Sequence, residues 1–155
     1  MLATASHPHH SDSSHGERRR EFVELTRAEC LERLAAERFG RIAVNVGQSA
    51  PVIRPVNYAF DERSQSVVFR TAPGSKFQGL IQSAKAAFEI DGADSERRTG
   101  WSVVIVGVVE RVTNAAEVRR LEKLGVDPWA SGEKPHWVRI RAWTVSGRHV
   151  SVPGT

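Results

Sequence analysis

The chain has 155 residues, 40% hydrophobic and 26% charged, with a formal charge of +4. That length and balance fit one globular domain with one core. The longest apolar run, Val103 to Val109, has seven residues, which excludes a membrane-spanning helix and reads as a buried strand. Cys30 stands alone, which excludes an intramolecular disulfide and a Cys-based zinc site.

Residues 1–20 read as a disordered tail and residues 21–155 as the folded domain. The tail holds His7, His9, His10 and His15, which bind metal at most adventitiously, so no metal site is expected. It has no apolar stretch of the secretory kind, and a reducing cytoplasm is the expected setting. Its Arg18, Arg19 and Arg20 leave a net +1 there, and the remaining +3 is spread along the body. Nucleic-acid binders concentrate their basic residues in a stripe. Dispersed arginines suit a small anionic ligand as well as a polymer.

Thr26 and Glu29 form a capping box, with Leu25 and Cys30 as its staple. Leu31, Leu34 and Ala35 supply the apolar face of a helix over 27–38, and Gly40 stops it. Cys30 is therefore expected as a core contact, not a nucleophile. Ile42, Val44 and Val46 then alternate with polar or small residues, which predicts a strand. Further strands are predicted at 52–60 and 66–71, and Pro55 marks an edge or irregularity. Residues 74–83 fit a short helix, with Phe77, Leu80 and Ile81 on one face. Strands follow at 84–91 and 100–113, separated by a polar loop over 92–99. Asn114 caps a helix to about Leu124, residues 125–135 form a loop, and two strands close the chain at 136–143 and 145–151. In the first of these, Val138, Ile140 and Ala142 face one way and Trp137, Arg139, Arg141 and Trp143 the other. That second face reads either as an interface or anionic-ligand surface, or as arginine stems covering indoles. Seven short strands with flanking helices predict a mainly β, antiparallel barrel.

The segment Arg70-Thr71-Ala72-Pro73-Gly74-Ser75-Lys76 ends a strand, turns, and opens a helix. Free N–H groups at a helix start favour an anion, the Thr71 and Ser75 hydroxyls add donors, and Arg70 and Lys76 add charge. It is not a P-loop, since the full glycine-lysine pattern is absent. An ordinary turn with a solvated lysine is the competing reading.

Several motifs follow one another in a telling order: Gly40-Arg41-Ile42-Ala43, Ile53 to Tyr58, Val68 to Lys76, Ala87 to Asp91, and Gly100-Trp101-Ser102-Val103. Together they resemble the pyridoxamine 5'-phosphate oxidase-like FMN-binding split-barrel family, in its short actinobacterial form, over about residues 24–150. The resemblance implies a split β-barrel of Greek-key type and a homodimer with FMN between the two barrels. It implies that the backbone of Arg54, Pro55, Val56, Asn57 and Tyr58 lies against the isoalloxazine ring. It implies that Arg70, Thr71, Ser75 and Lys76 hold the phosphate. It also implies that Trp101 and Ser102 contribute from the partner subunit, and that Trp143 and Arg148, as in some relatives, approach the cofactor from near the C-terminus. The arginine–histidine constellation of true pyridoxamine phosphate oxidases is not matched after Gly147-Arg148-His149, which argues against that substrate. Some members of the family use a deazaflavin coenzyme or haem instead.

Three functions follow in order. The first is a flavin-dependent oxidoreductase acting on a small molecule, with Tyr58 and His149 as titratable candidates near the matched motifs. The second is a flavin-binding redox sensor or store without turnover. The third is a nucleic-acid binder. No membrane partner is expected.

Overall fold

The computed structural model describes residues 21–45, 50–73 and 85–151. Eight strands and two helices run in the order β1 (Glu21–Glu24), α1 (Arg27–Ala36), β2 (Phe39–Val44), β3 (Val52–Asp61), β4 (Ser66–Thr71), β5 (Lys85–Asp94), β6 (Thr99–Val112), α2 (Ala115–Glu122), β7 (His136–Arg141) and β8 (Thr144–Ser151). The short helix expected over 74–83 and the tail over 1–20 lie outside the described residues.

All strand pairs are antiparallel, in the order β1-β8-β6-β5-β2-β3-β4-β7, and a further β6–β7 pairing closes the last six into a barrel. The long apolar strand makes this closure possible. The first half of β6 pairs with both β5 and β8, while Val109 to Val112 pair with β7. At the branch, a Cβ on Gly107 would meet the Arg141 carbonyl oxygen, so only glycine lets β6 pass so close.

Alternation along the strands fills the barrel with Ile42, Val44, Phe88, Ile90, Val103 and Ile105. Helix α1 plugs one opening. Its capping box is complete, with the Glu29 carboxylate accepting from the Thr26 N–H at 2.7 Å. Cys30 is fully buried against Gly147, where a Cβ would stand 2.6 Å from its sulfur. Burial pushes the thiol pKa up, as suits a core contact.

The structure departs from the sequence reading at three places. Eight strands are present where seven were expected, because Glu21–Glu24 adds to the edge of β8. The polar loop over 92–99 shrinks to a hairpin turn, since β5 runs to Asp94 and β6 starts at Thr99. Trp137 does not share an exposed face with Arg139 and Trp143. It is 3% exposed and belongs to a second small core with Ala59, Val68, Val112, Leu121 and Val126. Helix α2 covers this stretch of barrel wall, so both faces of β7 are buried there.

Helix α2 is pinned by two ionic contacts, the looser being Glu117 to Arg139 of β7 at 3.7 Å. Arg120 reaches Asp61, at the end of β3, with two hydrogen bonds of 2.8 and 2.6 Å, and also holds Glu117 at 2.6 Å. Asp61 is 2% exposed and takes a further hydrogen bond from the Ser64 hydroxyl.

Candidate functional site

The outer faces of β8, β6, β5, β2 and β3 form one continuous surface, and register sorts its residues into rows. One row runs Thr144, Val106, Ala87, Ala43, Ile53. The next runs Ser146, Val104, Glu89, Arg41, Pro55. A third, toward the α1 end of β2, holds Arg148, Ser102 and Asp91 on one side and Phe39 with Asn57 on the other. The first row is apolar yet open: Val106 is 43% and Ile53 56% exposed. The second is bridged by Arg41, which holds Asp91 at 2.6 Å and Glu89 at 3.3 Å.

The third row collects much of what the sequence singled out, in two groups. On β3 and β4, Tyr58 pairs with Phe69, and Asn57 and Arg70 lie just beyond that last pair. Both reach the loop between α2 and β7. The Asn57 side-chain oxygen accepts from the Trp129 N–H at 2.9 Å, and Arg70 Nε donates to the Lys134 carbonyl at 2.7 Å. The Arg70 guanidinium also lies 5.5 Å from the centre of the Trp137 ring. Next to it, Thr71 is 6% exposed and its hydroxyl has no hydrogen-bond partner among the described residues. A buried hydroxyl left unpaired costs about 1–3 kcal/mol, so such an atom calls for an explanation.

In the second group, Ser102 stands opposite both Asp91 and Arg148. They line a surface cavity of about 330 Å³ with Phe22, Glu89 and Val150. Trp101 points to the other face, packs on the barrel core, and carries the Arg33 guanidinium 4.4 Å from its ring centre. Gly92 makes room for it, since a Cβ there would sit 2.6 Å from the indole nitrogen.

Three strand steps separate Asn57 from Ser102, or roughly 14 Å at the usual spacing. One chain therefore does not bring the two groups into contact.

Other expected residues fall elsewhere. Arg54 and Pro55 are exposed, and Val56 is part of the barrel lining. Tyr58 is 1% exposed, donates its hydroxyl proton to the Leu34 carbonyl at 2.8 Å, and meets Phe88 edge-on. Burial, with Glu37 nearby, pushes its pKa well above the ordinary tyrosine value. Its side chain is a core pillar, and only its backbone is available to a ligand. His149 pairs with Trp101 on the inner side of β8, away from Ser102. Trp143 is 62% exposed at the far end of β8 from Arg148, so the chain does not gather those two. Ser75 and Lys76 lie outside the described residues.

Sequence reasoning missed Phe39, Asp91 and Trp129. A tryptophan stranded in a Gly- and Pro-containing loop was the available signal for the last.

A family model described as pyridoxamine 5'-phosphate oxidase matches residues 26–149. The chain belongs to the pyridoxamine 5'-phosphate oxidase family. The match takes in the whole barrel and both groups of the third row. The uncharacterised protein Rv0080 of Mycobacterium tuberculosis is 36% identical over 134 residues, which cover 83% of this chain and 85% of that protein. Among solved structures, an FAD-binding protein from Mycobacterium smegmatis superimposes with a TM-score of 0.74 at 31% identity, covering 83% of this chain and 98% of that one. A putative pyridoxamine 5'-phosphate oxidase from Corynebacterium glutamicum gives 0.71 at 27% identity, covering 84% and 94%. These family members share the mainly β barrel described above.

Proposed function

We propose that this chain is a flavin-binding oxidoreductase that works as a homodimer. The β4 end and the turn after it, Arg70 to Lys76, hold the flavin phosphate. The ring lies along the β3 backbone from Arg54 to Tyr58. Ser102 and Arg148, with the Trp101 backbone, approach it from the partner subunit. The observation that carries this reading is the orphaned Thr71 hydroxyl. Among the described residues it is a buried donor without an acceptor, beside an arginine, on the strand end whose own chemistry favours an anion. A phosphate oxygen would complete it. The similarity to an FAD-binding protein supports a flavin and widens the choice beyond FMN.

The roughly 14 Å gap between the two groups supports a site shared between copies. A two-fold axis would set the open apolar row, Val106 to Ile53, against itself and bring Ser102 of one chain toward Asn57 of the other. When bound, the flavin supplies the hydride or electron transfer, while these residues bind and orient it.

Titration of the purified protein with FMN, FAD and a deazaflavin tests the reading, followed by steady-state oxidation of a reduced nicotinamide. Binding of none of the three would end it. Binding without turnover would leave a flavin store. Steep salt-dependent retention on DNA by a protein that takes up no flavin would favour the nucleic-acid alternative.

Two substitutions sharpen the phosphate assignment. Lys76→Ala removes a charge-assisted hydrogen bond and should weaken flavin binding by about ten- to a hundredfold. Unchanged affinity in a folded variant would remove Lys76 from the site. Thr71→Val should act with opposite signs on two measurements. In the flavin-free protein it deletes an unsatisfied buried atom, so thermal stability should hold or rise, by up to about 1 kcal/mol. Flavin affinity should fall about tenfold. Loss of stability with intact affinity would show that the hydroxyl serves the fold instead.

A further inference from the structure

Trp129 is 72% exposed, the most open large apolar side chain among the described residues. An indole so open to water would ordinarily sample many orientations, yet this one is held. The backbone N–H of Trp129 donates to the Asn57 side-chain oxygen at 2.9 Å, which fixes the chain where the indole leaves it. Its ring lies on Phe39, with centroids 5.2 Å apart and planes only 11° from parallel. Further along the loop, the Lys134 ammonium folds back onto the Ala130 and Ser131 carbonyls at 2.5 and 3.2 Å. The Lys134 carbonyl is tied to Arg70 at 2.7 Å.

The loop is thus fastened at its middle to β3 and near its end to β4, at the residues just beyond the Tyr58–Phe69 pair on the strands assigned to the flavin. Asn57 commits its side-chain carbonyl to this purpose. Holding an indole flat and open beside that site serves neither barrel core, since Trp129 belongs to neither. A near-parallel aromatic pair with an open face can accept a third ring. Indole is the most electron-rich of the aromatic faces, so electron-poor or cationic planar rings suit it best.

We propose that Trp129, its ring backed by Phe39 and its backbone anchored by Asn57, is the stacking platform for an electron-poor planar ring of the substrate. The proposal rests on the flavin reading for what stands beside the platform. It assigns a substrate class, pyridinium- or quinone-like rings, and a specificity residue that neither the family match nor the phosphate segment identifies.

The test uses 1-methylnicotinamide as the probe, titrated into flavin-loaded protein by calorimetry. Trp129→Leu should raise its dissociation constant about tenfold, and Trp129→Tyr should restore most of the affinity. Flavin affinity should change less than about twofold in both variants. Equal probe affinity in Trp129→Leu, or no binding to the wild-type protein, would overturn the platform. A parallel loss of flavin affinity would assign the indole to the cofactor instead. A Trp129→Leu variant that sediments as a monomer, beside a dimeric wild type, would assign it to contact between copies. Should the wild type bind no flavin, that reading fails by itself, and the same titration on flavin-free protein still decides the platform.

Discussion

Val106→Asp is expected to convert a dimer into a monomer and to take tight flavin binding with it. Val106 is 43% exposed in the apolar row, between Ala87 and Thr144. Nothing in that row offers a positive charge. In the adjoining rows, Arg41 is already engaged by Asp91 and Glu89, and Lys85, opposite Val108, is exposed. In a two-fold contact, the same row faces its own copy, so each aspartate would be buried opposite apolar surface and near a second negative charge. An uncompensated buried charge costs about 3–5 kcal/mol, enough to raise the dimer dissociation constant at least about a hundredfold. Sedimentation at micromolar concentration reads the first effect and flavin titration the second. A variant that stays dimeric would show that copies meet elsewhere. A monomer that still binds flavin tightly would refute the shared cleft while sparing the phosphate segment.

Arg120→Ala should lower the unfolding free energy by about 3 kcal/mol. The value sits at the lower end for a broken buried pair because the Arg120 side chain keeps 22% exposure. The loss comes from Asp61, whose side chain is 3% exposed and would retain only local hydrogen bonds from the Ser64 hydroxyl and the Arg63 backbone. The pH dependence has a definite sign. Hydrogen bonds from Arg120, and then from Ser64, hold the Asp61 carboxyl below its ordinary value of 3.8. A depressed folded pKa contributes stability that is complete above the unfolded value. That contribution is lost as pH falls through the folded one. The wild type should therefore shed this stability below about pH 4, whereas Arg120→Ala should show a shallower acid dependence. Denaturant unfolding at neutral and acid pH measures both. Parallel curves for the two proteins would show that the pair does not carry the linkage. Asp61→Asn with Arg120→Ala should recover part of the loss, since no buried charge is then left unpaired.

How far the sequence carried is visible at particular residues. Thr26 and Glu29 announce α1 because a capping box is a local device. Ile42 with Val44, and Phe88 with Ile90, announce β2 and β5 because alternation reports one buried face. Glu21–Glu24 escaped because its four residues carry no alternation of that kind, and pairing with β8 makes them a strand. Trp137 was placed on the open side by alternation, and that inference failed because α2 covers the outer wall there. For the site, Arg70 and Thr71 could be marked from their own chemistry. Tyr58 could not be separated from its neighbours, because its titratable group says nothing about whether the side chain points at a ligand or at Leu34.

By itself, the sequence determined the mainly β class, the capped first helix and the buried cysteine. All of these rest on interactions within a few residues. Only the tertiary structure decided that Asn57 and Arg70 clamp the Trp129 loop, and that Ser102 and Arg148 form a group roughly 14 Å away across the sheet. It alone decided that an open apolar row runs beside them. Register between strands far apart in the chain sets all three, and register is chosen by the closure of the whole barrel, which no local pattern encodes.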